Sequence, residues 1–314
     1  MIRIGIDLGG TNIAVGAVDN AGHILAEWSV KTLASRPYQD IVRDMSFCIG
    51  KVLDKSGNSA KDIEAIGIGI PGLADQKTGR VIFCTNLGWH DIPLAEELGK
   101  YYSAPVYIDN DATVAGYAEY IAGISKGTES SVFITLGTGV GAGIVLNGRP
   151  FSGYHGIGSE IGHITVETEG DLCTCGNKGC AERYCSASAI IRFAREVAAQ
   201  HPESAMMKKA DGDISRISAK TVIDSAKEGD RTACGIFDKY AHYLAVLINN
   251  VTATLDPEII VLGGGVSHAG SFLLEAVQKH IPSLMLYKTL PYPKIVLATL
   301  GNEAGIIGAA MLGK

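Results

Sequence analysis

Four residues between positions 163 and 180 have the types and spacing of a metal or redox centre: His163, Cys173, Cys175 and Cys180. Three cysteines fall within eight residues, with the histidine ten residues upstream. Thiolates and imidazole ligate a borderline-soft cation, while paired thiols can form a disulfide or a redox couple. The opening MIRIGIDLGG runs straight into a strand pattern with Asp7 inside it, so no secretory signal is expected. A chain kept in the cytoplasm does not rely on disulfides, so the cluster favours metal or redox chemistry. Of the seven cysteines, Cys185 and the scattered Cys48, Cys84 and Cys234 are expected to be plain buried thiols.

A second chemistry lies in the glycines, 39 of 314 residues against a usual share of about 7%. In Asp7-Leu8-Gly9-Gly10-Thr11-Asn12 the glycines expose backbone N–H groups suited to phosphate oxygens. Thr11 and Asn12 add side-chain donors there, and Asp7 is placed to hold Mg²⁺. Gly137-Thr138-Gly139 offers the same chemistry, and Gly263-Gly264-Gly265 after an apolar strand can lie against adenine or ribose. One such loop could be an ordinary hairpin turn; three together point to a nucleotide. Neither GxxxxGK[ST] nor a strand-linked GxGxxG is present, which disfavours Walker-type and Rossmann readings.

The third candidate is Asp109-Asn110-Asp111, where a strand ends and a helix opens. Asp and Asn are ordinary helix caps. Phosphoryl transfer, however, needs an oriented hydroxyl and a base to take its proton. Asp111, heading the helix, is the candidate base; Asn110 suits paired sugar hydroxyls, and Asp109 is expected to be structural.

The elements that must carry these groups follow from periodicity. IGIDLGGTNIAVGAVDNAGHI near the start resembles FITLGTGVGAGIVLNGRPF from Phe133, and each predicts strands folded over a tight glycine turn. Ile41, Met45, Ile49, Val52 and Leu53 predict a helix ended by Ser56-Gly57-Asn58. AIGIGIPG predicts a buried strand stopped at Pro71-Gly72, Leu94 to Lys100 a short helix, and Cys234 to Leu255 a long one. Gln200 to Lys220 reads as an irregular surface excursion, and GNEAGIIGAAMLG as a tightly packed small-residue helix. The class is α/β, with mixed sheets in two lobes.

Bulk properties exclude several functions. A net charge of −6 and a pI near 5.8 argue against nucleic acid as a partner. No apolar run reaches the roughly 18 to 20 residues of a membrane span, so no membrane association is expected. The mean hydropathy of +0.18 fits a globular chain with a sizeable core.

Together, IGIDLGGTN, NDA at Asn110 to Ala112, LGTGVGAG from Leu136, SEIGH from Ser159, CTCGNKGCAE from Cys173 and LGGGV from Leu262 resemble the ROK (repressor, ORF, kinase) family, in its glucokinase-like branch. The resemblance implies a two-lobed actin-like, ribonuclease-H-like ATPase fold with duplicated mixed-sheet domains and the nucleotide in the cleft between them. It places residues 1–114 with 302–314 in a small lobe and 115–301 in a large lobe bearing the zinc loop. It implies ATP-dependent phosphorylation of a hexose at the 6-hydroxyl, with Mg²⁺ and a structural Zn²⁺. Asp111 becomes general base and Asn110 a sugar ligand, while Glu160, His163 and Glu182 contact hydroxyls on the anomeric side. Gly72 lines the pocket through its backbone. Ser159 stands where the family usually has alanine or glycine, and Thr174 where an acidic or other residue is common. Neither touches a presumed ligand.

His163, Cys173, Cys175 and Cys180 then make a complete tetrahedral zinc set with no open position for water. One ring nitrogen of His163 can bind zinc while the other donates to sugar. Glucose is the first expectation; fructose, mannose, allose, N-acetylglucosamine and N-acetylmannosamine are alternatives. A ROK repressor would carry an N-terminal helix-turn-helix; with the phosphate-loop strand beginning at residue 2, none is expected here. A non-catalytic sugar sensor fits poorly with Asp111 and both phosphate loops in place. A cytoplasmic homodimer or homotetramer is implied.

Overall fold

The computed structural model describes residues 1–314, which divide into two compact units. The first comprises Met1–Phe133, Gly143–Ser159 and Ala298–Lys314; the second comprises Ile134–Ala142 and Glu160–Leu297.

The first unit opens with β1 (Ile2–Leu8), β2 (Asn12–Val18) and β3 (Ile24–Lys31), followed by α1 (Tyr38–Ser56) and β4 (Ile63–Ile70). Next come β5 (Leu73–Asp75), β6 (Arg80–Cys84), β7 (Trp89–Ile92), α2 (Leu94–Gly99), β8 (Val106–Asn110) and α3 (Asp111–Ile121). Its main sheet has the order β3-β2-β1-β4-β8, and β5, β6 and β7 form a small antiparallel sheet of their own. β1 runs antiparallel to β2 and parallel to β4, and β4 runs parallel to β8, so the sheet is mixed. α1 ends as the sequence predicts: Gly57 adopts φ 70°, and the Asn58 N–H reaches back to Leu53 O at 3.1 Å.

β1 is buried along almost its whole length, Arg3 included, because both its faces are covered. One cover is α10 (Ala304–Ala310), which packs on β1, β4 and α3. The approach is backbone to backbone: a Cβ at Gly67 would lie 1.7 Å from Ala309 O, and one at Gly308 1.7 Å from Val114 O. The small-residue pattern of GNEAGIIGAAMLG is therefore a packing code. Buried Arg3 staples this helix, donating to Ala310 O and Leu312 O at 2.6 Å while pairing with Glu64 at 2.9 Å. Buried Glu119 on α3 accepts from the backbone N–H groups of Thr299 and Leu300, both at 2.8 Å, and so holds the segment leading to α10.

A second five-stranded sheet has the order β11-β10-β9-β12-β13, made of β9 (Ser130–Leu136), β10 (Val140–Leu146), β11 (Arg149–Pro150), β12 (Ile259–Gly263) and β13 (Lys294–Leu297). The division between units cuts β9 after Phe133 and β10 after Ala142. The second unit adds α4 (Glu182–Cys185), α5 (Ala187–Ala198), α6 (Ala205–Lys209), α7 (Ala219–Lys227), α8 (Arg231–Leu255) and α9 (Ser271–Leu284).

Three sequence expectations need correction here. Gln200 to Lys220 is not an irregular excursion: it contains α6, a 3₁₀ turn at Ile214–Arg216 and the start of α7, and it buries Met206, Met207 and Ala210. Elements of five residues are too short for periodicity to register. α8 starts at Arg231, three residues before the expected Cys234, because the Asp230 side chain caps it by accepting the Ala233 N–H at 2.8 Å. Cys234 is only half-buried, with its thiol directed at Ala226 O; Cys48, Cys84 and Cys185 are buried as expected. No helix is long and apolar enough to cross a membrane.

Candidate active site

In the first unit the Asp109-Asn110-Asp111 turn is formed where β8 passes directly into α3. Asn110 is the N-cap, its Oδ1 accepting from Ala112 and Thr113 N–H at 2.9 and 3.2 Å. Its Nδ2 donates to Gly72 O at 3.2 Å. Capping and a possible ligand role are thus not exclusive, because the cap fixes which way the amide points. Asp111, in the first turn, accepts its neighbour's Ala112 N–H at 2.7 Å.

Gly72 is held tightly. A Cβ there would stand 2.3 Å from Phe83 O, and its own N–H donates to Ile70 O at 2.9 Å. Its observed service is to orient Asn110. Asp109 is buried under the turn, where Gln76 Nε2 donates at 2.5 Å, Ser152 Oγ at 3.3 Å and the Asn110 N–H at 2.7 Å. Burial raises its pKa to about 6 in spite of these donors. Gln76 and Ser152 carry no sequence signal of this role, since they meet Asp109 only through the fold. Ser159, the departure from the family pattern, is also accounted for: it is buried with its hydroxyl 3.3 Å from that of Thr113 on α3.

The β1–β2 turn carries Gly9 to Asn12. The Gly9 N–H closes the turn onto Asn12 O at 2.9 Å, and Thr32 braces it from β3's end by donating Oγ1 to Gly9 O at 2.6 Å. Asn12 is the first residue of β2, and Thr11 and Asn12 are both exposed. Asp7, at the end of β1, is partly buried against Gly305, and burial raises its pKa.

The second unit repeats this device. The Gly137 N–H closes the β9–β10 turn onto Gly139 O at 3.0 Å, leaving Thr138 exposed at the tip. In both copies, therefore, the first glycine's N–H serves the turn itself rather than a ligand. Gly264, at φ 79°, lies against Leu136, where a Cβ would be 2.7 Å from the backbone nitrogen. The Gly263–Gly265 loop and the Gly137–Gly139 loop are thereby brought side by side.

The remaining candidates occupy a segment with little regular structure. Glu160 precedes a single 3₁₀ turn, Ile161–His163, and its carbonyl accepts the His163 N–H at 3.0 Å. Beyond it, Thr165 pairs with Cys180, and the Ala181 N–H donates to Ile164 O at 2.8 Å. This rung runs His163 and Glu182 alongside each other. The cysteine loop is closed by Cys173 N–H to Asn177 O at 2.7 Å and by the Leu172–Lys178 bridge.

The ligand atoms of His163, Cys173, Cys175 and Cys180 all lie within 4.8 Å of one another. Cys175 and Cys180 sulfurs are 3.6 Å apart, and His163 Nδ1 is 3.7 Å from Cys173 Sγ. Tetrahedral zinc with bonds of about 2.3 Å to sulfur spaces its ligands about 3.5–3.8 Å apart; these two pairs match that spacing, and the three-thiolate, one-imidazole donor set suits the ion. Cys185 is buried apart from this group, as expected.

The profile of the ROK family matches residues 3–314. The chain belongs to the ROK family. Among curated ROK relatives, a glucokinase of Halalkalibacterium halodurans is 38% identical, over 99% of this chain and 94% of that one. A glucokinase of Thermotoga maritima is 36% identical, over 99% and 96%. A crystal structure of a ROK glucokinase from Streptomyces griseus, in complex with glucose and AMPPNP, superposes with a TM-score of 0.83 at 34% identity, over 99% of both chains. The fold is accordingly the actin-like ATPase fold shared by ROK kinases.

Proposed function

We propose that this ROK protein is an ATP-dependent hexose kinase, with glucose the preferred acceptor and the 6-hydroxyl the site of phosphorylation. The observation that carries the reading is its whole-chain similarity to a glucokinase crystallised with glucose and a nucleotide analogue. The local geometry is consistent with it.

In this reading Asp111 accepts the proton of the 6-hydroxyl as that oxygen attacks the γ-phosphorus, and ADP leaves. Asn110, aimed by its cap and by Gly72, binds a sugar hydroxyl. Glu160, His163 and Glu182 bind the hydroxyls at the anomeric side. Backbone N–H groups of Gly10, Thr11, Thr138 and Gly139 face the phosphates, with Asn12 and Thr138 side chains adding donors. Gly263–Gly265 lies against adenine or ribose. Mg²⁺, held through Asp7, supplies neutralisation of phosphate charge when bound. Zinc on His163, Cys173, Cys175 and Cys180 is structural: with Nδ1 turned to the cysteines, Nε2 of His163 is left to the sugar. The protein acts in the cytoplasm as a homodimer or homotetramer, which light scattering can check.

The test is ADP release across a panel of hexoses with ATP and Mg²⁺. Glucose should give the highest kcat/KM. A different preferred hexose would correct the acceptor, and no sugar-dependent ADP release would overturn the kinase reading.

A further inference from the structure

Glu182 belongs to the candidate sugar set, yet its carboxylate is already engaged. Oε2 accepts the backbone N–H of Val140 at 3.1 Å, immediately after the Gly137–Gly139 loop. The same oxygen explains the glycine at 139, where a Cβ would stand 2.4 Å from it. Val140 is gripped from its other side too: a Cβ on Gly162, in the turn that carries His163, would lie 2.2 Å from Val140 O.

Two further bonds tie the loop to the chain just beyond Glu182. The Ala187 N–H donates to Gly137 O, and Ser188 Oγ to Thr138 O, each at 2.8 Å. Those two contacts are made by a helix start and are indifferent to ligands. The contact from Glu182 differs, because it comes from a flexible side chain whose carboxylate can accept from a sugar hydroxyl as well.

We propose that Glu182 is a shared carboxylate coupling the two substrates: a sugar hydroxyl held by Glu182 fixes its hold on Val140 N–H, and so orders the Gly137–Gly139 loop for nucleotide phosphates. The inference rests on the kinase reading, in which that loop binds phosphate and Glu182 binds sugar. Ordering this side chain and loop opposes whichever ligand arrives first, and the second ligand finds them already ordered. The coupling is reciprocal, so each ligand tightens the other by the same factor.

Gly139→Ala separates this role from direct sugar contact. The added methyl meets the far end of a flexible side chain rather than backbone, so the fold can absorb it by displacing Oε2 from Val140. Calorimetric titration of the zinc-loaded full chain measures glucose affinity with and without AMPPNP, and AMPPNP affinity with and without glucose. The wild type should show a coupling factor of about 5 or more, equal in both directions. In Gly139→Ala and in Glu182→Ala the factor should fall to within about twofold of unity. Glu182→Gln, whose amide oxygen can still accept the Val140 N–H, should restore much of it.

A purely structural glutamate would weaken each ligand equally in the presence and absence of the other, leaving the factor unchanged. An unchanged factor in Gly139→Ala, or no coupling in a wild type that binds both ligands, overturns the inference. Failure of the kinase reading looks different, since the wild type would then bind no hexose at all.

Discussion

Asp111 and His163 stand on scaffolds made in different ways. Asp111 is aimed by regular secondary structure: a buried strand runs into a helix, Asn110 caps that helix, and Asp109 is anchored below by Gln76 and Ser152. His163, Glu160 and Glu182 sit on a 3₁₀ turn, a four-residue helix and a loop joined by isolated bridges. Besides those bridges, the second region is marked by the convergence of four side chains whose ligand atoms lie within 4.8 Å of one another. On this contrast, replacing the Asp111 carboxylate is expected to leave the fold standing, since Asn110 and Asp109 make the junction. With the proposed zinc bound there, the side chains borne on that loop would depend on it.

The largest effect separates chemistry from scaffold. Asp111→Ala should lower kcat by about 10²–10⁴-fold, the usual range for a general base, with sugar binding and the melting temperature near wild type. A kcat within threefold of wild type would remove Asp111 from that role. Next comes the brace. Cys175→Ala, or prolonged chelation, should drop bound zinc well below one per chain and weaken sugar affinity by roughly 10-fold or more. Full affinity in a zinc-free sample would mean that the loop stands on its own hydrogen bonds.

A smaller effect probes how rigid the first unit's frame is. Gly308→Ala sets a methyl against Val114 O and should cost about 1–3 kcal/mol in denaturant unfolding, with the zinc content unchanged. The finest test concerns Asp109. Its folded pKa, near 6, exceeds the unfolded value near 3.9, so the folded state binds the extra proton between these values. Stability contributed through this group is present at acid pH and is lost as pH rises through about 6, by roughly 1 kcal/mol per pH unit. Subtracting the pH profile of Asp109→Asn from that of the wild type should isolate this slope.

Much of this arrangement could be read from residue order because it is local. The two glycine hairpins, the Asn110 cap and the C-terminal packing helix each depend on neighbours in sequence. The convergence of His163 with Cys173, Cys175 and Cys180 was legible because cysteine and histidine are rare enough for their spacing to speak. The anchors were not. Glu119 meets Thr299 and Leu300 across some 180 positions, and Arg3 meets Ala310 across 307, with nothing at either end to announce the partner. The pairings of Gln76 and Ser152 with Asp109, and of Glu182 with Val140, likewise exist only once the chain has folded.

The helix that covers β1 and β4 has a consequence for synthesis. The first strands leave the ribosome early, but α10 and the carbonyls that receive Arg3 follow only after the stretch from Glu160 to Leu297 has been made. At ordinary translation rates that interval is on the order of ten seconds. Throughout it the sheet bearing the Gly9–Asn12 turn lacks the helix that covers one of its faces. The part of the molecule begun first is thus the part completed last, and its exposed apolar face is where a nascent-chain chaperone would find its substrate.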